Sequence, residues 1–337
     1  MMIRKFGLVF VSLGVFLIAA GCAGVSSSVF NPASRNAQAT SQLTLIVFVI
    51  AAVVFVVVEG MLLYTTLRFS RKIKNTTELP SQTEGNLRLE IAWTLVPAVV
   101  LVIVFVFSVG TLRAVAYQPG YFSGTTASNT INVKVVAHQW YWEFDYPDQH
   151  IITANELHIP VGVPVKISLE SADVIHSFWV PELGGKTDVI PGHTNTTWIQ
   201  ADKTGTYPGQ CAEFCGVEHA KMRLAVIVET PDQFNAWLLQ QEAPAVANLS
   251  GDAAQGEQIF MNGACVACHM IDGTKAKGLV GPNLTHFATR QTFAGSILTN
   301  TPENVRQWLA NPQAIKPGNQ MPNLHLSDSD IQKLTAF

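Results

Sequence analysis

Two long apolar runs dominate the first third of the chain, Leu43–Leu67 and Ile91–Leu112. Each is long enough to cross a hydrocarbon core of about 30 Å at about 1.5 Å per residue, which predicts a transmembrane helical hairpin. Arg68, Arg71, Lys72, Lys74 and Arg88 lie between them, so by the positive-inside rule this loop faces the cytoplasm and both flanks lie outside. From Ile131 to Thr230 the pattern changes to short β-branched runs broken by Pro and Gly, among them Ile131–Val136, Val163–Leu169, Thr194–Ile199 and Arg223–Val228. That pattern predicts a small all-β sandwich. Thr230-Pro231-Asp232 then reads as a helix cap with proline at the first helical position, opening a helix to about Glu242. A linker from about Ala243 to Ser250 follows; a flexible chain of that length reaches on the order of 15 Å. The rest reads as an all-α domain, with a short helix over Asp252–Gln258 and a final helical segment from Ser327 that runs out at Phe337.

The start of the chain carries a different signal. Arg4 and Lys5 precede the apolar run Phe6–Ala20, which closes on Ala19-Ala20-Gly21-Cys22, the form of a bacterial secretory signal. A cysteine after small residues is the lipoprotein variant, with cleavage before Cys22 and acylation of its sulfur; an uncleaved anchor is the bland alternative. Residues 23–42, rich in Ser, Ala, Asn and Thr, read as a flexible spacer. The expected domains are therefore 1–22 (signal), 40–115 (hairpin), 130–230 (sandwich), 231–249 (helix and linker) and 250–337 (helical domain).

Composition agrees with a membrane protein: of 337 residues 48% are hydrophobic and 13% charged, with a mean hydropathy of +0.25. A net charge of −3 gives no ground for a nucleic-acid partner. The five cysteines, at 22, 211, 215, 265 and 268, all fall inside motifs, leaving no pair for a structural disulfide.

The densest chemistry lies between Cys211 and Met222, where Cys211, Cys215, His219 and Met222 offer two thiolates, an imidazole and a thioether within twelve positions. Soft sulfur ligands with imidazole select copper. One thiolate suffices for a mononuclear site, so the second points to two sulfurs bridging two copper ions, which calls for another histidine. His176, in Asp-Val-Ile-His-Ser-Phe-Trp-Val, is the candidate. A zinc site of two cysteines and two histidines is the competing reading, against which Met222 argues.

Over about residues 40–240 the sequence closely resembles subunit II of cytochrome c oxidase, whose dinuclear copper centre, CuA, is carried on such a loop. The resemblance implies a Greek-key cupredoxin fold. It also implies that Cys211 and Cys215 bridge the coppers, that His176 and His219 are terminal ligands, and that Met222 and the Glu213 carbonyl are weak axial ligands. The Glu213 side chain would help bind magnesium at the contact with subunit I. In Gln139-Trp-Tyr-Trp-Glu-Phe144, the family's aromatic cluster covers the copper and admits electrons. Trp140 is then the expected entry residue, with Tyr141 beside it and core packing the alternative. Glu90 matches the glutamate that marks a proton-path entrance into subunit I, although a helix-start acid stabilised by the dipole fits equally. Glu59, inside the first span, has no assigned role.

Cys265-Val-Ala-Cys268-His269 is the signature of covalent c-type haem attachment: thiols at i and i+3 meet the two vinyl groups, and the next histidine faces the iron. A chance match or a thiol redox pair is the alternative. The external location and Gly281-Pro-Asn-Leu284 resemble a class I cytochrome c. Met321, in Gly-Asn-Gln-Met-Pro-Asn, is the expected sixth ligand, with His325 and His286 as rivals; Met/His ligation raises the potential.

Together these readings imply subunit II of a bacterial respiratory oxidase with a fused cytochrome c domain. It would sit in the plasma membrane with both redox domains outside, bound to subunits I and III and to lipid, and would receive electrons from a cytochrome c or another donor. Its own chemistry would be one-electron transfer, oxygen reduction and proton pumping belonging to subunit I. A quinol oxidase subunit II shares the hairpin and sandwich but lacks the copper ligands. A nitrous oxide reductase carries such a domain on a soluble propeller, a pattern not found here.

Overall fold

The computed structural model describes residues 27–69, 84–116, 130–245 and 249–337. Cys22 and the rest of the signal segment, and the loop residues Arg71, Lys72 and Lys74, lie outside them. The described chain forms two units, one of residues 35–128 and one combining residues up to Ser34 with those from Asn129 to Phe337.

The first unit is a pair of helices, α1 (Arg35–Phe69) and α2 (Leu87–Ala116), both long and apolar enough to cross a membrane. Each outruns its apolar stretch because the helix continues into polar flanks. At the start of α2 the Asn86 side chain accepts from the backbone N–H groups of Arg88 and Leu89 at 3.1 and 3.3 Å, satisfying donors that a helix start leaves open. Glu90 sits in the first turn of α2 and Glu59 within α1.

The second unit begins with residues expected to be a flexible spacer. Residues 27–34 are instead pinned to the sandwich: Ala33 is buried and its N–H donates to the Glu182 carbonyl at 2.8 Å, while Asn31 Nδ2 donates to the Glu182 carboxylate at 3.0 Å. Small polar side chains made the segment look unstructured, but they are what lets its backbone lie close against the sheet.

The sandwich has two five-stranded sheets. One runs β3 (Ile151–Ala154), β2 (Tyr141–Tyr146), β1 (Ile131–His138), β5 (Val165–Ser171), β8 (Asn195–Ile199). The other runs β4 (Glu156–Pro160), β10 (Arg223–Glu229), β9 (Gly205–Cys211), β6 (His176–Trp179), β7 (Thr187–Val189). The β1–β5 and β10–β4 pairs are parallel and the others antiparallel, the mixed topology that crossover connections produce. Alternation sets the faces: in β1 the side chains of Val133, Val135 and Ala137 point inward. Trp142, Phe144, Leu157, Ile167 and Leu169 fill the space between the sheets. Fully burying such a side chain is worth about 1.5–3 kcal/mol.

Helix α3 (Pro231–Glu242) ends where the sequence predicts. Thr230 caps it in a reciprocal capping box with Gln233, and Trp237 stacks on His158 at 4.3 Å, holding the helix against the second sheet.

The last domain contains α4 (Gly251–Asn262), a 3-10 turn at Ala264–Ala267, a two-stranded hairpin of β11 (Thr292–Phe293) and β12 (Leu298–Thr299), then α5 (Pro302–Ala310), α6 (Pro312–Ile315) and α7 (Asp328–Ala336). Helix α4 runs four residues past the predicted end because Phe260, in its last turn, is buried and packs on Phe337 at 5.6 Å. A Cβ at Gly256 would lie 2.1 Å from the Lys333 carbonyl oxygen, so only glycine permits this close crossing of α4 and α7. The small hairpin is an addition to the expected all-helical domain.

Candidate metal centre and haem site

The second sheet brings the expected ligands together. Strand β6 opens with His176 and lies beside β9, which ends on Cys211. The loop from Ala212 to Met222 then turns back into β10, closed by Cys211 N–H donating to the Met222 carbonyl at 2.9 Å. Cys211 Sγ and Cys215 Sγ are 3.8 Å apart, too far for a disulfide, whose sulfurs lie about 2.05 Å apart. They are near enough to share an ion at about 2.3 Å from each. His176 Nδ1 lies 3.9 Å from Cys211 Sγ, and His219 Nδ1 lies 3.6 Å from Cys215 Sγ. Met222 Sδ lies 3.8 Å from Cys215 Sγ, and the Glu213 carbonyl oxygen 3.2 Å from Cys211 Sγ. The Glu213 side chain itself is exposed. His176, Cys211, Cys215 and Met222 are buried, so this is a dry pocket of sulfur and imidazole.

Hydrogen bonding between the sulfurs, first from Cys215 and then with His176, holds the Cys211 thiol well below its usual range, while the same contact and burial push Cys215 up. The pair therefore gives up its first proton readily and its second only to something that replaces its charge. A soft cation does that. Burial pulls the His176 pKa down, but hydrogen bonds with Asp173 and Cys211 outweigh it and the net shift is upward.

Two residues that the sequence did not single out complete the pocket. Asp173 Oδ1 lies 2.7 Å from His176 Nε2, and its other oxygen accepts from the Gln139 N–H at 2.6 Å. A carboxylate on the distal nitrogen fixes the ring so that Nδ1 faces the sulfurs. Gln139 Nε2 and Trp140 Nε1 both donate to the Cys215 carbonyl, at 2.7 and 3.0 Å. The available signal was Asp173 standing three residues before His176.

Of the aromatic cluster, Trp140 lies half-buried over the metal loop, whereas Trp142 and Phe144 are core. Trp142 meets the His176 ring edge-on at 6.1 Å, a contact worth about 0.5–1.5 kcal/mol. Tyr141 stacks on His138 at 4.4 Å, and burial raises its pKa; its hydroxyl is buried without a hydrogen-bond partner.

In the last domain Cys265 and Cys268 are unpaired thiols, the first within the 3-10 turn and the second capping its end. His269 Nδ1 lies 2.8 Å from the Pro282 carbonyl, which fixes Nδ1 as the protonated nitrogen and leaves Nε2 free as a ligand. Burial lowers the His269 pKa despite that hydrogen bond, keeping the imidazole neutral. The Met321 backbone is tied down by Asn319 and Gln313, and its sulfur lies 3.1 Å from Trp308 Nε1. Arg290 is buried, its pKa pushed down to about 10 by burial, and its Nε has no partner. Thiols, a free imidazole nitrogen, a thioether and an incompletely satisfied cation fit a haem with acidic side groups.

The family model for the periplasmic domain of cytochrome c oxidase subunit II matches residues 149–230, and that for its transmembrane domain matches residues 26–110. A cytochrome c model matches residues 253–337. Cytochrome c oxidase subunit 2 of Alkalihalophilus pseudofirmus is 36% identical, covering 95% of this chain and 93% of that protein. The chain belongs to the cytochrome c oxidase subunit II family. The Bacillus subtilis subunit 2 is 34% identical over 100% of this chain and 98% of its own length. A quinol oxidase subunit 2 from Bacillus anthracis is 32% identical over 69% of this chain and 79% of that protein. As a subunit II with a cytochrome c domain, the chain is part of a haem-copper oxidase, and its role is electron transfer.

Proposed function

We propose that His176, Cys211, Cys215, His219 and Met222, with the carbonyl of Glu213, hold a pair of copper ions, and that Cys265, Cys268, His269 and Met321 hold one covalent haem c. Cys211 and Cys215 would supply the thiolate ligands, His176 and His219 the imidazole ligands, and Met222 and the Glu213 carbonyl the weaker ones. The observation that carries this is the buried sulfur pair 3.8 Å apart with one imidazole on each sulfur. It also separates the chain from a quinol oxidase subunit, which would need none of these ligands.

Copper and haem, when bound, supply one-electron redox chemistry. The chain's residues do the rest. Asp173 orients His176, and the core side chains around Met222 exclude water. Gln139 and Trp140 fix the Cys215 backbone, and Pro282 orients His269. Trp140 lies where electrons enter the copper loop. Arg290, whose Nε is buried without a partner, would compensate the acidic side groups of a bound haem. Neither span contains a histidine, so oxygen reduction belongs to subunit I, to which this chain delivers electrons taken from a cytochrome c or similar donor.

The exposed Glu213 side chain is free to bind magnesium at the subunit I contact, and Glu90 to mark a proton entrance. We divide the chain at 1–22, 40–115, 130–230, 231–249 and 250–337, place both redox domains on the outer face of a bacterial plasma membrane beside subunits I and III, and take Cys22 as an acylated mature N-terminus. Intact-mass analysis of membrane-extracted protein tests the last point; a mass retaining residues 1–21 without lipid overturns it. Metal analysis with electron paramagnetic resonance tests the whole. The expected result is two coppers sharing one unpaired electron plus one haem per chain; a single copper nucleus in the hyperfine pattern, or zinc, sinks the reading.

A further inference from the structure

The linker from about Ala243 to Ser250 predicts a cytochrome domain held only by a flexible tether. The structure instead holds it by two buried charges. Lys316, in the cytochrome domain, is 3% exposed. Its Nζ donates to the carbonyls of Trp140 at 2.8 Å, Lys221 at 3.0 Å and Ala294 at 3.2 Å, which uses all three ammonium donors. Glu156, in the copper domain, is 1% exposed. It accepts from the backbone N–H groups of Gln291 and Thr292 at 3.1 and 2.7 Å and from the Thr292 hydroxyl at 2.9 Å. A buried charge without such partners is strongly destabilising. Here each domain contributes one charge, and the other's backbone supplies two of its three partners.

Between the two charges the backbones meet directly. The Arg223 N–H donates to the Gly295 carbonyl at 3.0 Å. Gly295 has φ +81°, and a Cβ there would lie 2.5 Å from the Lys221 carbonyl oxygen, so the hairpin tip needs glycine for both its conformation and its closeness.

The segment bearing Lys316 also bears Met321. Asn319 Nδ2 donates to the Lys316 and Pro312 carbonyls, and Asn319 Oδ1 accepts from the Met321 N–H at 2.8 Å. On the other side, the Lys221 and Trp140 carbonyls belong to residues that adjoin or cover the copper ligands: Lys221 precedes Met222, and Trp140 Nε1 donates to the Cys215 carbonyl. Residues 312–321 thus run in short hydrogen-bonded steps from the sixth-ligand position of one site to the loop of the other.

We propose that Lys316 and Glu156 are positioning residues that clamp the cytochrome domain on the copper loop, with 312–321 as the fixed bridge between the two redox sites. The proposal rests on the site assignments above for its electron-transfer consequence, and on the contacts alone for the clamp. Transfer from haem to copper then occurs from one docked geometry, without a diffusive search by a tethered domain, and an external donor meets the haem rather than Trp140.

The test is hydrogen–deuterium exchange on the full-length detergent-solubilised chain, wild type against Lys316→Met and Glu156→Gln. Segments 221–225 and 289–297 are expected to exchange at least about tenfold faster in the variants, the effect of losing hydrogen bonds to a charged group, with α4 unchanged. Exchange in those segments that is equal in the wild type and a folded variant, at whatever rate, overturns the clamp, and rapid exchange in the wild type overturns it even if both variants fail to fold. In variants whose haem and copper spectra are intact, the haem-to-copper phase after flash reduction is expected to slow at least about tenfold for the same loss; an unchanged phase overturns the positioning role. A chain that binds no copper or haem would defeat the site assignments while leaving the exchange result to judge the clamp.

Discussion

Asp173 Oδ1 lies 2.7 Å from His176 Nε2, so the imidazole nitrogen turned away from Cys211 is tied to a carboxylate. Carboxylates behind a metal-bound histidine fix its tautomer and raise its basicity, and losing one typically costs about 10–100-fold in metal affinity. Asp173→Asn is expected to lose copper to a chelator about that much more readily, with the haem spectrum unaffected. Copper retention equal to the wild type would show that His176 does not need this partner.

Trp140 and Gln139 share one acceptor, the Cys215 carbonyl. Trp140→Phe keeps the ring and removes one donor, a loss of about 0.5–1.5 kcal/mol, while Gln139 keeps the carbonyl satisfied. Copper should stay bound in Trp140→Phe, with electron entry to the copper slowed. Trp140→Ala, which also removes the ring from over the loop, should slow it further. In stopped-flow mixing with reduced donor, the haem phase should be unchanged and only the copper phase slower.

The difference between legible and hidden parts of these sites follows from sequence distance. Cys211, Cys215, His219 and Met222 fall within twelve consecutive positions, so their chemistry could be read as a short motif, as could Cys265-Val-Ala-Cys268-His269. His176 was reachable because two sulfurs and one imidazole called for a second imidazole. Asp173 was missed because its role depends on the turn into β6, which directs its side chain back onto His176. Lys316 and Glu156 were invisible for a stronger reason. Their partners lie 22 to 176 residues away in sequence, and a lysine in a Pro- and Gly-rich loop reads as solvated. The β11–β12 hairpin has strands of two residues, too short for alternation to mark.

Gly256→Ala tests the helix crossing in the cytochrome domain. The added methyl would meet the Lys333 carbonyl carbon and oxygen, both backbone atoms, so α4 and α7 must separate. Overpacking of this kind costs about 1–3 kcal/mol. The expected outcome is a lower thermal midpoint for the change in the haem spectrum on unfolding, with the copper spectrum retained. An unchanged midpoint would mean that the two helices are not packed this closely.

Lys316 gives a pH dependence whose sign can be fixed. Burial pushes its pKa down to about 8 from the usual 10.5 of a lysine, with Glu218 and Cys215 raising it and Lys221 lowering it. Between those two values the folded protein has released a proton that the unfolded chain still holds, so stability rises with pH across that window. Above 10.5 this contribution is complete, and it is lost as pH falls from there through about 8. Below that the ammonium carries its desolvation cost, offset by its three carbonyl partners. The wild type is therefore expected to gain thermal stability relative to Lys316→Met as pH is raised from 8 to 10, because the methionine variant has no proton to release there. The comparison cancels groups common to both proteins, so a stability difference that stays flat or falls over that range would show that Lys316 is not buried as a perturbed cation.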